Sequence, residues 1–206
     1  MTRPTDKWSA PSSGERYAAT RFASRRAAER DPRLVAALLA RHGVRGRLLD
    51  VPCGTARLHD VLRPHAGALV GADLSEAMLA SAARSSPARF VRAEVAHLPF
   101  HARSFDVVVC CRFLHHLHDE SELAAALAEL VRVSDRLVVG SVWDSASWPA
   151  LRVRLGLKRA EGPRGRRAVE RATVERLVAR AGARVVEWRY SFRWLSQQAF
   201  FVAERC

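Results

Sequence analysis

The chain has 206 residues, of which 49% are hydrophobic, and a formal net charge of +13 at pH 7. This length suits a single domain, and the sequence shows neither an apolar run of membrane-spanning length nor the apolar core of a signal peptide, so we expect a cytoplasmic protein. The excess positive charge lies outside the centre of the chain: residues 34–150 are neutral overall, whereas residues 151–171 carry +6. All but two of the 34 basic residues are arginines. A GC-rich genome favours arginine, and this compositional bias explains the positive charge as readily as nucleic-acid binding does.

The N-terminal part is predicted to be an arm followed by two helices. Proline, serine and glycine make residues 1–14 a mobile arm. Apolar residues at helical spacing over residues 15–44 predict the helices, with Asp31 and Pro32 as the cap and first turn of the second helix.

Three apolar runs follow, and each ends in an acid: Asp50, Asp73 and Glu94. The first run continues through a turn that holds Gly54 and Thr55 into a predicted helix, whose free N–H groups would face a ligand. An acid that closes the second strand of such a unit is placed to accept hydrogen bonds from ribose hydroxyls. The pattern therefore indicates a nucleotide-type binding corner.

Strands and helices keep alternating towards the C-terminus. We predict a fourth strand within residues 104–117, a helix over 121–133, a fifth strand over 136–143, a helix over 173–181 and a terminal antiparallel pair over 183–190 and 197–203. These elements predict an α/β fold with a Rossmann-like, doubly wound sheet of seven strands, mostly parallel, with a C-terminal antiparallel hairpin strand.

The turn and the ordered strand-end acids, over about residues 45–145, resemble the class I S-adenosylmethionine-dependent methyltransferases. The resemblance is strongest to the small-molecule branch that includes the quinone-biosynthesis C-methyltransferases. It implies one methyltransferase domain over residues 15–206, which divides into the N-terminal helices (15–44), a cofactor-binding body (45–143), a basic acceptor-side insertion (144–171) and the last helix with the terminal strand pair (172–206).

The resemblance also implies which residues bind S-adenosylmethionine. Asp73 would bind the ribose, Glu94 the adenine amino group, and the remaining residues would line the turn and the strand ends: Asp50, Pro52, Cys53, Gly54, Thr55, Leu74, Val95, Cys111 and Arg21. The chain departs from the family in its turn, where three glycines are usual and Pro52, Gly54 and Ala56 stand instead.

Three residues after the fourth strand are candidates for catalysis. Arg112 is costly at a strand end unless it meets an anion or a carboxylate, although a surface arginine is an equal alternative. Histidine as a residue type titrates near neutral pH, so His115 and His116 suit a general base, but the family often carries histidine here for architecture. Adjacent histidines point in different directions and no second ligand cluster lies at ligand spacing, so we predict no metal site.

Aromatic residues are candidates for acceptor binding. Trp143 and Trp148 bracket the loop after the fifth strand, and Phe113 follows the fourth. Tyr17 and Arg21 lie one helical turn apart and suit a lid over the cofactor, with an ordinary amphipathic helix as the alternative.

We therefore predict an S-adenosylmethionine-dependent methyltransferase that acts on a small-molecule acceptor, anionic or lipid-like in character. The alternatives are an RNA or protein methyltransferase, suggested by the basic segments, and a non-catalytic cofactor-binding subunit, suggested by the missing glycines. Nucleic acid is the less favoured partner because the chain lacks the Asn/Asp-Pro-Pro-aromatic motif with which base N-methyltransferases grip a planar amine.

Overall fold

A computed structural model describes residues 25–157, 167–190 and 196–206 of the chain. The predicted arm, Tyr17, Arg21 and residues 158–166 of the basic segment lie outside the described residues. None of the described helices is both long and apolar enough to span a membrane.

The described residues form eight strands and six α-helices. The strands are β1 (Gly46–Asp50), β2 (Ala66–Asp73), β3 (Arg89–Arg92), β4 (Phe105–Cys110), β5 (Ser134–Asp144), β6 (Ala168–Val169), β7 (Ala183–Tyr190) and β8 (Gln198–Arg205). The helices are α1 (Arg25–Arg41), α2 (His59–Leu62), α3 (Glu76–Ser85), α4 (Glu120–Val133), α5 (Trp148–Arg154) and α6 (Arg171–Arg180).

Seven of these strands form one sheet in the order β3-β2-β1-β4-β5-β8-β7, and the two-residue β6 pairs with the end of β5. Strands β1 to β5 are parallel to one another, and β8 runs antiparallel to both β5 and β7. The predicted fold is therefore confirmed, and β6 is an addition to it.

Alternating side chains bury the central strands on both faces. Leu48 and Val107 face α1 in one apolar cluster, whereas Leu49 and Val108 face α4 and α6 in another. Such near-continuous apolar runs are what a parallel sheet covered by helices on both faces requires. The loops that follow the parallel strands consequently open at one edge of the sheet, the carboxyl edge.

Two helices begin at residues whose side chains cap them. The side chains of Ser75 and Asp119 accept hydrogen bonds from the N–H groups of Met78 and Glu122, which caps α3 and α4.

The predicted helix boundary at Asp31 and Pro32 is wrong, because α1 passes through both residues. Pro32 removes one hydrogen-bond donor from the helix. The apolar face of α1, formed by Val35, Leu38 and Leu39, is buried against the sheet, and we attribute the continuity of the helix to this packing.

Two further boundaries differ from the prediction. No long helix opens at the turn after β1, since residues 51–58 are mostly turn and α2 has only four residues. Strand β3 ends at Arg92, so Glu94 lies beyond it in an isolated bridge with His97. The turn after β1 depends on backbone hydrogen bonds to β2 and β4, which local sequence does not reveal.

Close contact between β5 and β8 gives a test of this packing. A Cβ on Gly140 would overlap the ring of Phe201, which is fully buried on the neighbouring strand. We expect Gly140→Ala to lower the free energy of unfolding by about 1–3 kcal/mol, measured by urea denaturation.

Gly67→Ala is the matched control, because a Cβ on this β2 glycine would meet its nearest neighbour, the Gly46 carbonyl oxygen, at an ordinary 3.6 Å. Equal stability of the two variants would contradict the packing of Phe201 over Gly140.

Candidate functional site

The turn after β1, residues 51–58, is fixed by backbone hydrogen bonds to both neighbouring strands. The N–H of Val51 donates to Val109 on β4 (2.9 Å), and the N–H of Cys53 donates to Ala72 on β2 (2.8 Å). The N–H of Gly54 donates to Oδ2 of Asp73 (2.9 Å). The structure thus brings together the predicted turn and the predicted ribose-binding acid at the carboxyl edge.

Asp73 is almost fully buried, at 9% exposure, and both of its oxygens are engaged. Oδ1 accepts the N–H of Ser75 (2.9 Å), while Oδ2 accepts that of Gly54. Burial raises the pKa of this carboxyl, and the two N–H groups partly offset that shift. Each oxygen retains a second lone pair, so the carboxylate still has acceptor capacity for a ligand hydroxyl.

Two residues of the turn adopt the left-handed backbone region. Gly54 has φ +55° and Ala56 has φ +61°. Glycine adopts this region without strain, whereas an alanine pays a steric cost. The turn therefore requires positive φ at one position where the family usually has glycine and this chain has Ala56. The peptide bond between Val51 and Pro52 is cis.

Asp50 is buried beneath the turn, with 1% of its surface exposed. Nε2 of His59, which is equally buried, lies 3.5 Å from its Oδ2. Nδ1 of His59 lies 2.7 Å from Oγ of Ser86, and the ring is stacked on Phe90. Burial raises the pKa of Asp50, and its carboxylate faces His59 from within the core. Sequence reasoning missed His59 as a partner of this acid.

The segment after β4 lies beside the turn, because Asp50 pairs with Val109 in the sheet. Burial raises the pKa of the Cys111 thiol to about 12, so the thiol is protonated at neutral pH. Arg112 has φ +61°, and its N–H donates to Oγ of Ser141 (2.7 Å). Its guanidinium meets a carboxylate, as the sequence suggested, and this carboxylate is Asp31 of α1 (2.9 Å).

The two candidate histidines have different surroundings. His115 is fully buried, and its ring is stacked on Trp143 with 4.8 Å between centroids. His116 is partly exposed and its ring lies 4.4 Å from that of His115. A buried, stacked ring has no access to an acceptor in solution, so of the two His116 has the better geometry for a general base. Among the described residues, no group of three or more His, Cys, Asp or Glu side chains could hold a metal ion.

The remaining predicted residues lie around the same edge. Val95 is buried, Glu94 is exposed, and Thr55, Leu74 and Phe113 are partly buried. Trp148 begins α5 and is 49% exposed.

Asp144, which sequence reasoning did not single out, ends β5 and is 3% exposed. Its Oδ2 accepts a hydrogen bond from the Tyr190 hydroxyl (2.7 Å) and lies 3.4 Å from Nε of Arg171. Arg171 in turn stacks on the Tyr190 ring. An acid at the end of a buried strand was the only available sequence signal for this cluster.

Comparison with known proteins agrees with this geometry. A family model described as a methyltransferase domain matches residues 49–136. A relative described as the putative methyltransferase YqeM of Bacillus subtilis (strain 168) is 31% identical over 94 residues. These residues are 43% of this chain and only 38% of YqeM, so the match spans well under half of that relative.

Solved structures share the whole fold. The magnesium protoporphyrin IX methyltransferase ChlM of Synechocystis PCC 6803, with bound SAM, has a TM-score of 0.76 at 16% identity and is matched over 100% of this chain and 99% of its own. The PH0226 protein of Pyrococcus horikoshii OT3 has a TM-score of 0.73 at 20% identity, over 93% of this chain and 99% of its own. At such low identities the likeness concerns the fold. The family model for a methyltransferase domain matches residues 49–136, which is under half of the chain, and the solved methyltransferase structures share the fold of the chain.

Proposed function

We propose that this chain transfers a methyl group from S-adenosylmethionine to a small-molecule acceptor. The observation that carries the proposal is the Gly54–Asp73 hydrogen bond, which joins the turn to a buried acid at the carboxyl edge. The family match supports the reaction class. Magnesium protoporphyrin IX, the substrate in the name of the Synechocystis enzyme, is a small molecule, which supports an acceptor of that class.

The residues present suit the cofactor. Asp73 has the acceptor capacity that two ribose hydroxyls require, and Glu94 is exposed and available to the adenine amino group. When bound, S-adenosylmethionine would supply an electrophilic methyl group, which the acceptor atom attacks in line while S-adenosylhomocysteine leaves. The protein therefore mainly has to align donor and acceptor. We assign this alignment to the turn and to Cys111 and Phe113, with His116 as the candidate base.

An anionic or lipid-like acceptor is the finer part of the proposal. Arg152 and Arg154 are exposed on α5, between Trp148 and the exposed Leu155 and Leu157. Exposed cations attract an anion at distances of up to about 10 Å at 0.1 M salt. A solvated, arginine-rich segment is the alternative. The quinone-related branch and the cytoplasmic location remain predictions from the sequence.

A second candidate function is that of a non-catalytic cofactor-binding subunit. It is favoured by Ala56, which occupies a positive-φ position in the turn where glycine would be unstrained. An RNA or protein methyltransferase remains an alternative only through the basic segments.

The first prediction from the proposed function concerns the ribose-binding acid. Asp73→Ala should lower the affinity for S-adenosylhomocysteine by about 1.5–3 kcal/mol, or about 10- to 150-fold in Kd, because the hydrogen bonds to both hydroxyls are lost. Isothermal titration calorimetry measures this change directly.

Asp106→Asn is the control, because Asp106 also accepts a backbone N–H, that of Arg47 (2.6 Å), but at the opposite edge of the sheet. It should leave Kd unchanged. Unchanged affinity in Asp73→Ala would remove this residue from the site.

The second prediction concerns pH. Because burial raises the pKa of Asp73, the carboxylate takes up a proton at a higher pH than an exposed aspartate, which titrates near about 3.9. Protonation removes acceptor capacity, so the affinity for S-adenosylhomocysteine should fall as pH falls through the raised pKa, and should be full above it. Calorimetry from pH 7.5 downwards tests this. An Asp73→Asn variant with the same pH dependence would assign the titration to another group, such as Asp50.

The third prediction concerns the departure from the family turn. Ala56→Gly should relieve a left-handed strain of about 1–2 kcal/mol, partly offset by the greater freedom of glycine in the unfolded chain. We expect a net stabilisation of about 0.5–1 kcal/mol in urea denaturation and a Kd for S-adenosylhomocysteine within about threefold of the native value. A native chain that does not bind, together with an Ala56→Gly variant that does, would instead support the non-catalytic subunit.

A further inference from the structure

Helix α1 brings its first turns to the carboxyl edge of the sheet. It ends at Arg41, and β1 begins at Gly46, so helix and strand run in opposite directions with only a short connection between them. Asp31 lies in the second turn of α1 and is 4% exposed. An acid buried this deeply needs partners, because an unpaired buried charge is costly.

A single oxygen of Asp31 holds two guanidinium groups. Oδ2 accepts a hydrogen bond from Nη1 of Arg112 (2.9 Å), and Nη2 of Arg57 lies 3.7 Å away. Arg57 belongs to the turn after β1, and Arg112 belongs to the segment after β4. Asp31 therefore connects the two loops that border the proposed site of methyl transfer.

The backbone of Arg112 is strained as well as tethered. Its φ of +61° is unfavourable for a residue with a side chain, and its N–H is held by Ser141, which is fully buried. Such a conformation persists only when the surrounding structure imposes it. The hydrogen bond that Arg112 N–H donates to Ser141 fixes the backbone, and Asp31 fixes the side chain. Cys111 immediately precedes Arg112.

We propose that Asp31 is a positioning residue of the cofactor site, which sets the placement of Arg57 and Arg112 and, through them, of the two loops. This role rests on the proposed function. The side chains of Arg57 and Arg112 are 23% and 24% exposed, so both can turn to water if the carboxylate is lost. Loss of the carboxylate should therefore leave the fold intact but change the positions of the two loops.

The test compares Asp31→Asn with the native chain. We expect the Kd for S-adenosylhomocysteine to rise about tenfold, with a fall in Tm of no more than about 4 °C. Asp31→Glu, which keeps the carboxylate, should recover most of the affinity. The double variant Asp31→Asn with Arg112→Gln should bind no more weakly than Asp31→Asn alone, because both changes break one interaction.

Glu29→Gln is the matched control, since Glu29 lies on the same helix and pairs with Arg33 on its exposed side. It should leave Kd within twofold of the native value. Native affinity in Asp31→Asn would overturn the positioning role and leave the proposed function intact. The positioning role would also be overturned if Asp31→Glu does not recover the affinity that Asp31→Asn loses, or if that loss accompanies a large fall in Tm. A native chain that does not bind S-adenosylhomocysteine would overturn both.

Discussion

The central strands are parallel and covered on both faces, and this constraint determines where ligand chemistry can take place. A parallel sheet that is buried on both faces offers a ligand only the edge at which its connecting loops open. Asp73 and Gly54 meet at that edge although they are 19 residues apart, and Asp31 and Arg112 meet there from 81 residues apart. The direction of the strands therefore determines where the candidate site lies, and individual side chains determine only what it can bind.

The sequence predicted the features that depend on local pattern. Apolar runs that end in acids predicted the first parallel strands, because this signal lies within a few residues of the structure that it produces. The boundary expected at Pro32 was wrong, because packing of α1 against the sheet is a tertiary effect. Asp31 looked like a helix cap for the same reason: its partner Arg112 is remote in sequence.

Residue type alone also overstated the chemistry of several side chains. His115 invites a catalytic interpretation, but its ring is buried against Trp143. Asp50 closes a strand as the family acid does, but its carboxylate is directed at His59 inside the core. Asp73 has the same position in its own strand and reaches the loop edge. The difference between the two acids lies in their neighbours, which the spacing of acids along the chain does not encode.

The order of the strands also bears on how the chain is synthesised. Strand β8 follows β7 in sequence, yet it lies between β5 and β7 in the sheet. In the described sheet β7 pairs with β8 alone, so until β8 has been made β7 cannot join the sheet and β5 presents an open edge of unpaired backbone groups. A nascent chain that ends at Tyr190 therefore contains the complete turn after β1, and its strand β5 has an edge of unpaired backbone groups. An unpaired edge of this kind is a template for pairing with another chain until β8 covers it.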